Sequence, residues 1–260
     1  MVQFLSTQPP STQRRQRPPG IGSMIVATAL LLPAITAPTT GARAAGLSDP
    51  CGRITCIPMA VHLWAADTAT GLPGGTVTPD QRRALAHARK QLAWANARFA
   101  PMKVRFVPVK LGWLAPTERR IDSAAARDTV GRDRVQQGAV LWVGPWQLVD
   151  LDGHSERHGV HWRDRADERS ELRRRRWLIV ARSRYIFVLA HELGHFLGLP
   201  HSKAALSLMN KHSTPGRPSV HAWRFTAAER RRMARRLRAL GKAGTLRALR
   251  WLPAADVLSP

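Results

Sequence analysis

The chain has 260 residues, enough for one large domain or two small ones. Hydrophobic residues make up 44% of it, which excludes a chain too polar to build a core. Lys and Arg number 41 against 17 Asp and Glu, a formal charge of +24. Such a surface attracts polyanions non-specifically. An arginine-rich composition has that effect without any selected partner, so charge assigns no specific nucleic-acid target.

Residues 1–44 read as an export segment. Met1 to Gly20 is rich in Gln, Pro and Arg and lacks acidic residues, and the apolar run MIVATALLLPAI follows at Met24 to Ile35. Ala42-Arg43-Ala44 then offers a small-residue cleavage site, completing the pattern of a secretory signal. The apolar run is short for a bilayer and holds Pro33, so no stable membrane span is expected. Arg14-Arg15 lacks the following residues that a twin-arginine signal needs. The expected location is secreted, periplasmic or extracellular. The two cysteines, Cys51 and Cys56, follow directly and suit a local disulfide in an exported protein.

Residues 45–260 show no internal repeat or long linker and form the second unit. Ile57 to Leu63 predicts a strand, and the turn-rich TGLPGG of Thr70 to Gly75 follows. Thr78-Pro79-Asp80-Gln81 opens a helix: Thr as N-cap, Pro at the first position, Gln reaching back from the third. Its buried stripe is Leu85, Ala88, Leu92, Ala95 and Phe99, and Pro101 stops it. Val104 to Val109 predicts a strand that Pro108 places at an edge or an end. Leu111 to Gln137 is polar and loop-like, with a short helix over Ser123 to Thr129. Gly138 to Val143 reads as a buried strand, Gly159 to Trp162 as an edge strand and Trp177 to Ala181 as another strand. An apolar helix is expected from Arg182 or Ser183 to Gly198. The last helix starts at Thr226 with a second capping box, Thr226-Ala227-Ala228-Glu229. Met233, Leu237 and Leu240 face inward along it, and its arginines face solvent. The order implies one α/β (α+β) domain with a mixed twisted sheet, a long backing helix, an active-site helix and a C-terminal helix.

The chemistry concentrates in HELGHFLGLPH, His191 to His201. His191 and His195 are four residues apart and leave one helix face a turn apart, so both can reach one zinc at about 2.0–2.1 Å. Glu192 lies about 100° round the helix, where it can take a proton from water without being a ligand. Gly198 ends the helix in a left-handed turn, Pro200 prevents its resumption, and the reversal brings His201 toward the same ion. Three protein ligands with an open position fit catalysis; a structural zinc usually takes four. An apolar helix with satisfied histidines is the competing view. It leaves two imidazoles and a carboxylate costly to bury.

HELGHFLGLPH resembles the H-E-x-x-H-x-x-G-x-x-H signature of the metzincin metallopeptidases. Met209 in LSLMN fits the methionine turn of that clan, eight residues after His201. That spacing, and Ser202 after His201, is most similar to the matrixin (matrix metalloproteinase-like) branch. The astacin-type tyrosine is absent, with Asn210, Lys211 and His212 in its place, and so is the proline that often follows the methionine. The resemblance is specific over Trp177 to Asn210 and implies a secreted zinc endopeptidase acting on a peptide or protein.

On that resemblance His191, His195 and His201 are ligands of one catalytic Zn2+, Glu192 is general base and then acid, and Met209 supports the floor by packing. Oxyanion stabilisation falls mainly to the metal, with His212 as a helper. The strand before the active helix pairs with an extended peptide, and KHSTPGRPSV walls the specificity pocket. The family often holds structural Ca2+ or a second Zn2+ between residues 111 and 171. His154, His158 and His161 are candidates, against surface histidines on a loop. A Cys51 thiolate capping the metal, as in latent metalloproteinases, is an alternative to the disulfide, although DPCGR lacks the fuller motif. Two other functions stay open: a narrow-specificity processing protease or toxin, and a non-catalytic zinc protein that binds polyanions.

Overall fold

The computed structural model describes residues 51, 53–66, 77–153, 155–211, 218–249 and 257–258. The export segment, the Thr70–Gly75 turn, His154, His212 and most of the KHSTPGRPSV wall lie outside the described residues.

Strand β1 (Thr55–Leu63), helix α1 (Pro79–Phe99) and strand β2 (Val104–Trp113) come first. Short strand β3 (Arg120–Ile121), helix α2 (Ala124–Arg132), strand β4 (Val140–Gly144) and the short strands β5 (Gln147–Val149) and β6 (Glu156–Arg157) follow. Strands β7 (Gly159–Arg163) and β8 (Arg176–Val180) then lead into helix α3 (Val188–Phe196) and closing helix α4 (Ala227–Lys242). The main sheet has the order β2-β1-β4-β8-β7. Four strands run parallel, and β7 runs antiparallel to β8 at the edge. A smaller sheet, β3-β5-β6, lies apart from it. The mixed sheet with helices is the α/β architecture expected.

Alternation along the strands feeds two cores. Ile57, Met59, Val61 and Leu63 of β1 join Trp142 and Leu178 with α1 and α3 in one cluster. Ala60, Leu141, Val143, Trp177 and Ile179 point the other way and pack with Ile121, Val130 and Leu148. Both faces are covered, so β8 is buried at every position. The β1–β2 register shifts between Met59 and Ala60, where the partner skips from Pro108 to Lys110. Proline has no N–H for the ladder, and it sits on the edge strand, as its sequence position implied.

Helix α1 begins with both halves of the capping box at Thr78 and Gln81. Its stripe is buried from Leu85 to Phe99, and a 3₁₀ turn at Ala100–Met102 follows. Helix α4 has the same box at Thr226 and Glu229. Met233 and Leu240 are buried, whereas Leu237 is only partly so. Arg236 departs from the solvent-facing expectation: it lies against Gly198 and donates to Glu171 at 2.8 Å.

Two boundaries need correction. The region expected as loop from Leu111 holds the end of β2, strand β3 and a longer α2, capped by Ser123. Helix α3 starts at Val188, not near Arg182. The intervening chain runs through bends and a turn and is held from both sides. Arg182 reaches Asp80 at 3.2 Å and its N–H donates to the Pro145 carbonyl. Gln91 of α1, fully buried, donates to the Tyr185 carbonyl at 2.7 Å and accepts the Leu189 N–H at 3.2 Å. Gln91 thus satisfies a first-turn donor of a helix that has no side-chain cap of its own.

Cys51 and Cys56 form a disulfide, which removes the capping-thiolate alternative. Among the described residues no helix is long and apolar enough to cross a membrane.

Before β8 the chain is pinned by a buried carboxylate. Asp164 is fully buried and meets Arg132 at 3.0 Å, Arg175 at 2.9 Å and the Ala166 N–H at 3.1 Å. Burial raises its pKa, but the two guanidiniums and the N–H outweigh that and hold it below the ordinary carboxylate value. Asp164→Ala is expected to lower unfolding free energy by about 2–3 kcal/mol, because the partners are half-exposed and can resolvate. A depressed carboxylate stabilises above its unfolded pKa, near 4, and the effect fades as pH falls through the folded value. Denaturant titrations should therefore separate variant from wild type at pH 7 and bring them together in acid.

Candidate metal centre

Helix α3 supplies two imidazoles from one face and ends where the sequence requires. Leu197 closes the helix and Gly198 takes a φ of +84°, the left-handed conformation that turns the chain back. His201 is thereby delivered to the other two. The Nε2 of His195 lies 3.1 Å from that of His191 and 3.2 Å from that of His201.

The tautomers follow from the other ring nitrogens. His191 Nδ1 is 2.9 Å from the Leu208 carbonyl and His195 Nδ1 is 2.7 Å from that of Leu199. A carbonyl only accepts, so both Nδ1 atoms carry the proton and both Nε2 atoms present lone pairs. Burial holds His195 below its ordinary imidazole value, which favours this neutral form. Two lone pairs 3.1 Å apart repel unless a cation lies between them. Neighbouring nitrogens of a tetrahedral zinc at about 2.0–2.1 Å stand roughly 3.3–3.4 Å apart, close to the spacing found. The residues therefore fit zinc, and among the described residues His191, His195 and His201 are the group able to hold a metal.

The Leu208 carbonyl is itself held. Leu208 N–H donates to Arg224 O at 3.0 Å, and Ser202 N–H, next to His201, donates to Met209 O at 3.0 Å. Ser207 Oγ accepts from Met209 N–H at 3.0 Å and donates to Glu229 at 2.6 Å. Glu229 also completes the α4 capping box, so the methionine turn is tied to the start of that helix. Met209 is fully buried beneath α3. A Cβ at Gly194 would stand 2.5 Å from its sulfur, so only glycine lets helix and turn approach this closely.

Glu192 is buried and sits against β7. A Cβ on Gly159 would meet its Cγ at 2.8 Å and Oε1 at 2.9 Å. Burial pushes the carboxyl up to about 8, opposed by the His161 N–H from which it accepts and by the charge of Arg157. Histidines and carboxylate line one cleft of about 770 Å³, with β7 along one side and Pro200 and Lys211 among its other walls.

Of the candidate loop histidines, His158 lies in the bend between β6 and β7, whereas His161 lies in the edge strand expected over Gly159 to Trp162. His161 belongs to strand β7, its ring edge-on to Phe196 at 5.7 Å and its Nε2 buried without a hydrogen bond. The His158 ring lies 4.6 Å from that of Tyr185, tilted 52° to it. Gly159, Gly194 and Ser207 escaped sequence reasoning. The glycine inside HELGH was the available signal for a close approach, and nothing local marked the other two.

Residues 143–222 match the family model described as matrixin, and this segment holds the histidines, Glu192 and Met209. The match covers the segment that carries the resemblance read from HELGHFLGLPH and agrees with it. The chain is similar to a crystal structure of archaemetzincin from Methanopyrus kandleri, with a TM-score of 0.41 and 16% identity over 73% of this chain and 98% of that one. It is also similar to metalloproteinase-II from Bacteroides fragilis, with a TM-score of 0.44 and 13% identity over 70% of this chain and 53% of that one. No curated protein matches the chain.

Proposed function

We propose, with the matrixin match as premise, that residues 45–260 are a zinc-dependent endopeptidase, exported behind residues 1–44 to the periplasm or beyond. The observation that carries the proposal is three imidazoles with converging Nε2 atoms and a buried carboxylate in one cleft beside an open strand edge. The Cys51–Cys56 disulfide supports export, because such bonds persist in oxidising compartments.

His191, His195 and His201 would hold the zinc. When bound, the ion supplies Lewis acidity, lowering the pKa of water and polarising a carbonyl. Glu192 moves the proton: its carboxylate takes one from the attacking water and passes it to the departing amine nitrogen. Leu199 and Leu208 hold the His195 and His191 rings by their carbonyls, which keeps the ligand nitrogens basic and aimed. The outer edge of β7 offers backbone groups to an extended peptide by strand addition, laying the chain past Glu192. Gly159 leaves the room in which the Glu192 and Val188 side chains lie against that strand.

A peptide-library digest with metal analysis of the mature chain tests the proposal. One zinc per chain is expected, with internal cleavage at many library sequences that stops on chelation. Cleavage of a single narrow motif would instead indicate a processing enzyme. Bound zinc with no cleavage at any pH would overturn the peptidase reading.

A further inference from the structure

Away from the zinc cleft, a second cavity of about 540 Å³ lies between the turn entering β8 and the segment after α4. Five arginines line it, Arg169 and the run Arg173 to Arg176, together with the amides of Gln136 and Gln137. No carboxylate does. Arg169 and Arg175 draw on Asp167 behind the wall, and Arg175 also on Asp164. Arg176 Nε and Nη2 donate to the Arg174 and Glu171 carbonyls, but its one carboxylate is Glu171 at 3.7 Å, already engaged by Arg236 at 2.8 Å and Arg163 at 3.3 Å.

The deficit of negative charge falls on buried atoms. Arg176 is 3% exposed, and its Nη1 is buried without a hydrogen-bond acceptor, as is the Nε of Arg174. Burial, then the repulsion of Arg236, pulls the Arg176 guanidinium down to about 10. A buried guanidinium with one nitrogen lacking an acceptor and little negative charge beside it is costly unless an anion completes it.

We propose that this cavity is a binding site for a small, soluble, dianionic phosphate ester. Guanidinium forks match phosphate oxygens in pairs, which suits a wall of arginines better than any single-point cation would. The Gln136 and Gln137 amides add neutral donors, while Val135 and Phe196 give the ester group an apolar surface. The site is concave and within the volume range of small-ligand pockets, so a free small molecule fits it better than a polymer backbone or a bilayer. The inference is independent of the peptidase proposal.

The probe is phenyl phosphate, a dianionic monoester, titrated calorimetrically into the zinc-loaded mature chain at about 150 mM salt, where long-range attraction is screened. Saturable one-to-one binding is expected. The double variant Arg173→Gln/Arg174→Gln, at outer positions of the turn, should weaken it at least about tenfold with zinc content unchanged. The double variant Arg231→Gln/Arg235→Gln on the exposed face of α4 removes the same charge and should change affinity by less than about twofold. Equal weakening in the two doubles, or no saturable binding in wild type, would overturn the proposal. So would binding to anionic vesicles by a chain that ignores phenyl phosphate.

Discussion

Alanine at Glu192 is expected to lower kcat/KM for a peptide substrate by roughly 10²–10⁴-fold, the span of a lost general base, while the chain keeps its zinc. The side chain is not among the three converging nitrogens, so metal affinity does not depend on it. Its carboxylate is buried against β7 with one backbone N–H, so truncation leaves a small void and one unpaired donor. That predicts a stability loss of only about 1–2 kcal/mol. Glu192→Gln separates shape from proton transfer. The amide retains the volume beside Gly159 but cannot accept a proton, and its activity should fall as far as that of alanine. Steady-state kinetics with zinc content measured on the same samples checks both. Hydrolysis within a few-fold of wild type in either variant would remove the proposed base.

The candidate metal centre was legible because its signals are local. Helix periodicity sets His191 and His195 on one face, and Gly198 followed by Pro200 specifies a reversal within a few residues. What escaped the sequence is the support, which depends on contacts between distant segments. Gln91 fixes the start of α3 from 98 residues away through Leu189. The apolar run alone therefore suggested a helix start six residues too early. Glu229 reads as a capping residue, yet it also holds Ser207 across 22 residues. Gly159 looks like an ordinary strand residue until the Glu192 side chain is laid across it. Polar composition hid the end of β2 and strand β3, because edge strands carry too few buried positions to show alternation.

Removing the metal is expected to abolish hydrolysis and to destabilise the fold. A ligand bound only by the native chain at about 1,000 times its Kd contributes roughly 4 kcal/mol. For a domain of this size that is a Tm drop of about 8–16 °C on chelation, reversed by added zinc. His201→Ala tests whether the triad is the cause. His201 is exposed, so its imidazole packs little and its loss should change the stability of the metal-free chain by no more than about 0.5 kcal/mol. The zinc-dependent rise in Tm, however, should shrink strongly, because a first ligand matters more than an outer partner, whose loss already costs about 10–100-fold in affinity. The outcome also discriminates between two accounts of the His191–His195 contact. If the rings merely packed, His201→Ala would leave zinc uptake and the Tm response intact. If their lone pairs converge on a cation, as the tautomers set by the Leu208 and Leu199 carbonyls permit, the variant must lose both together.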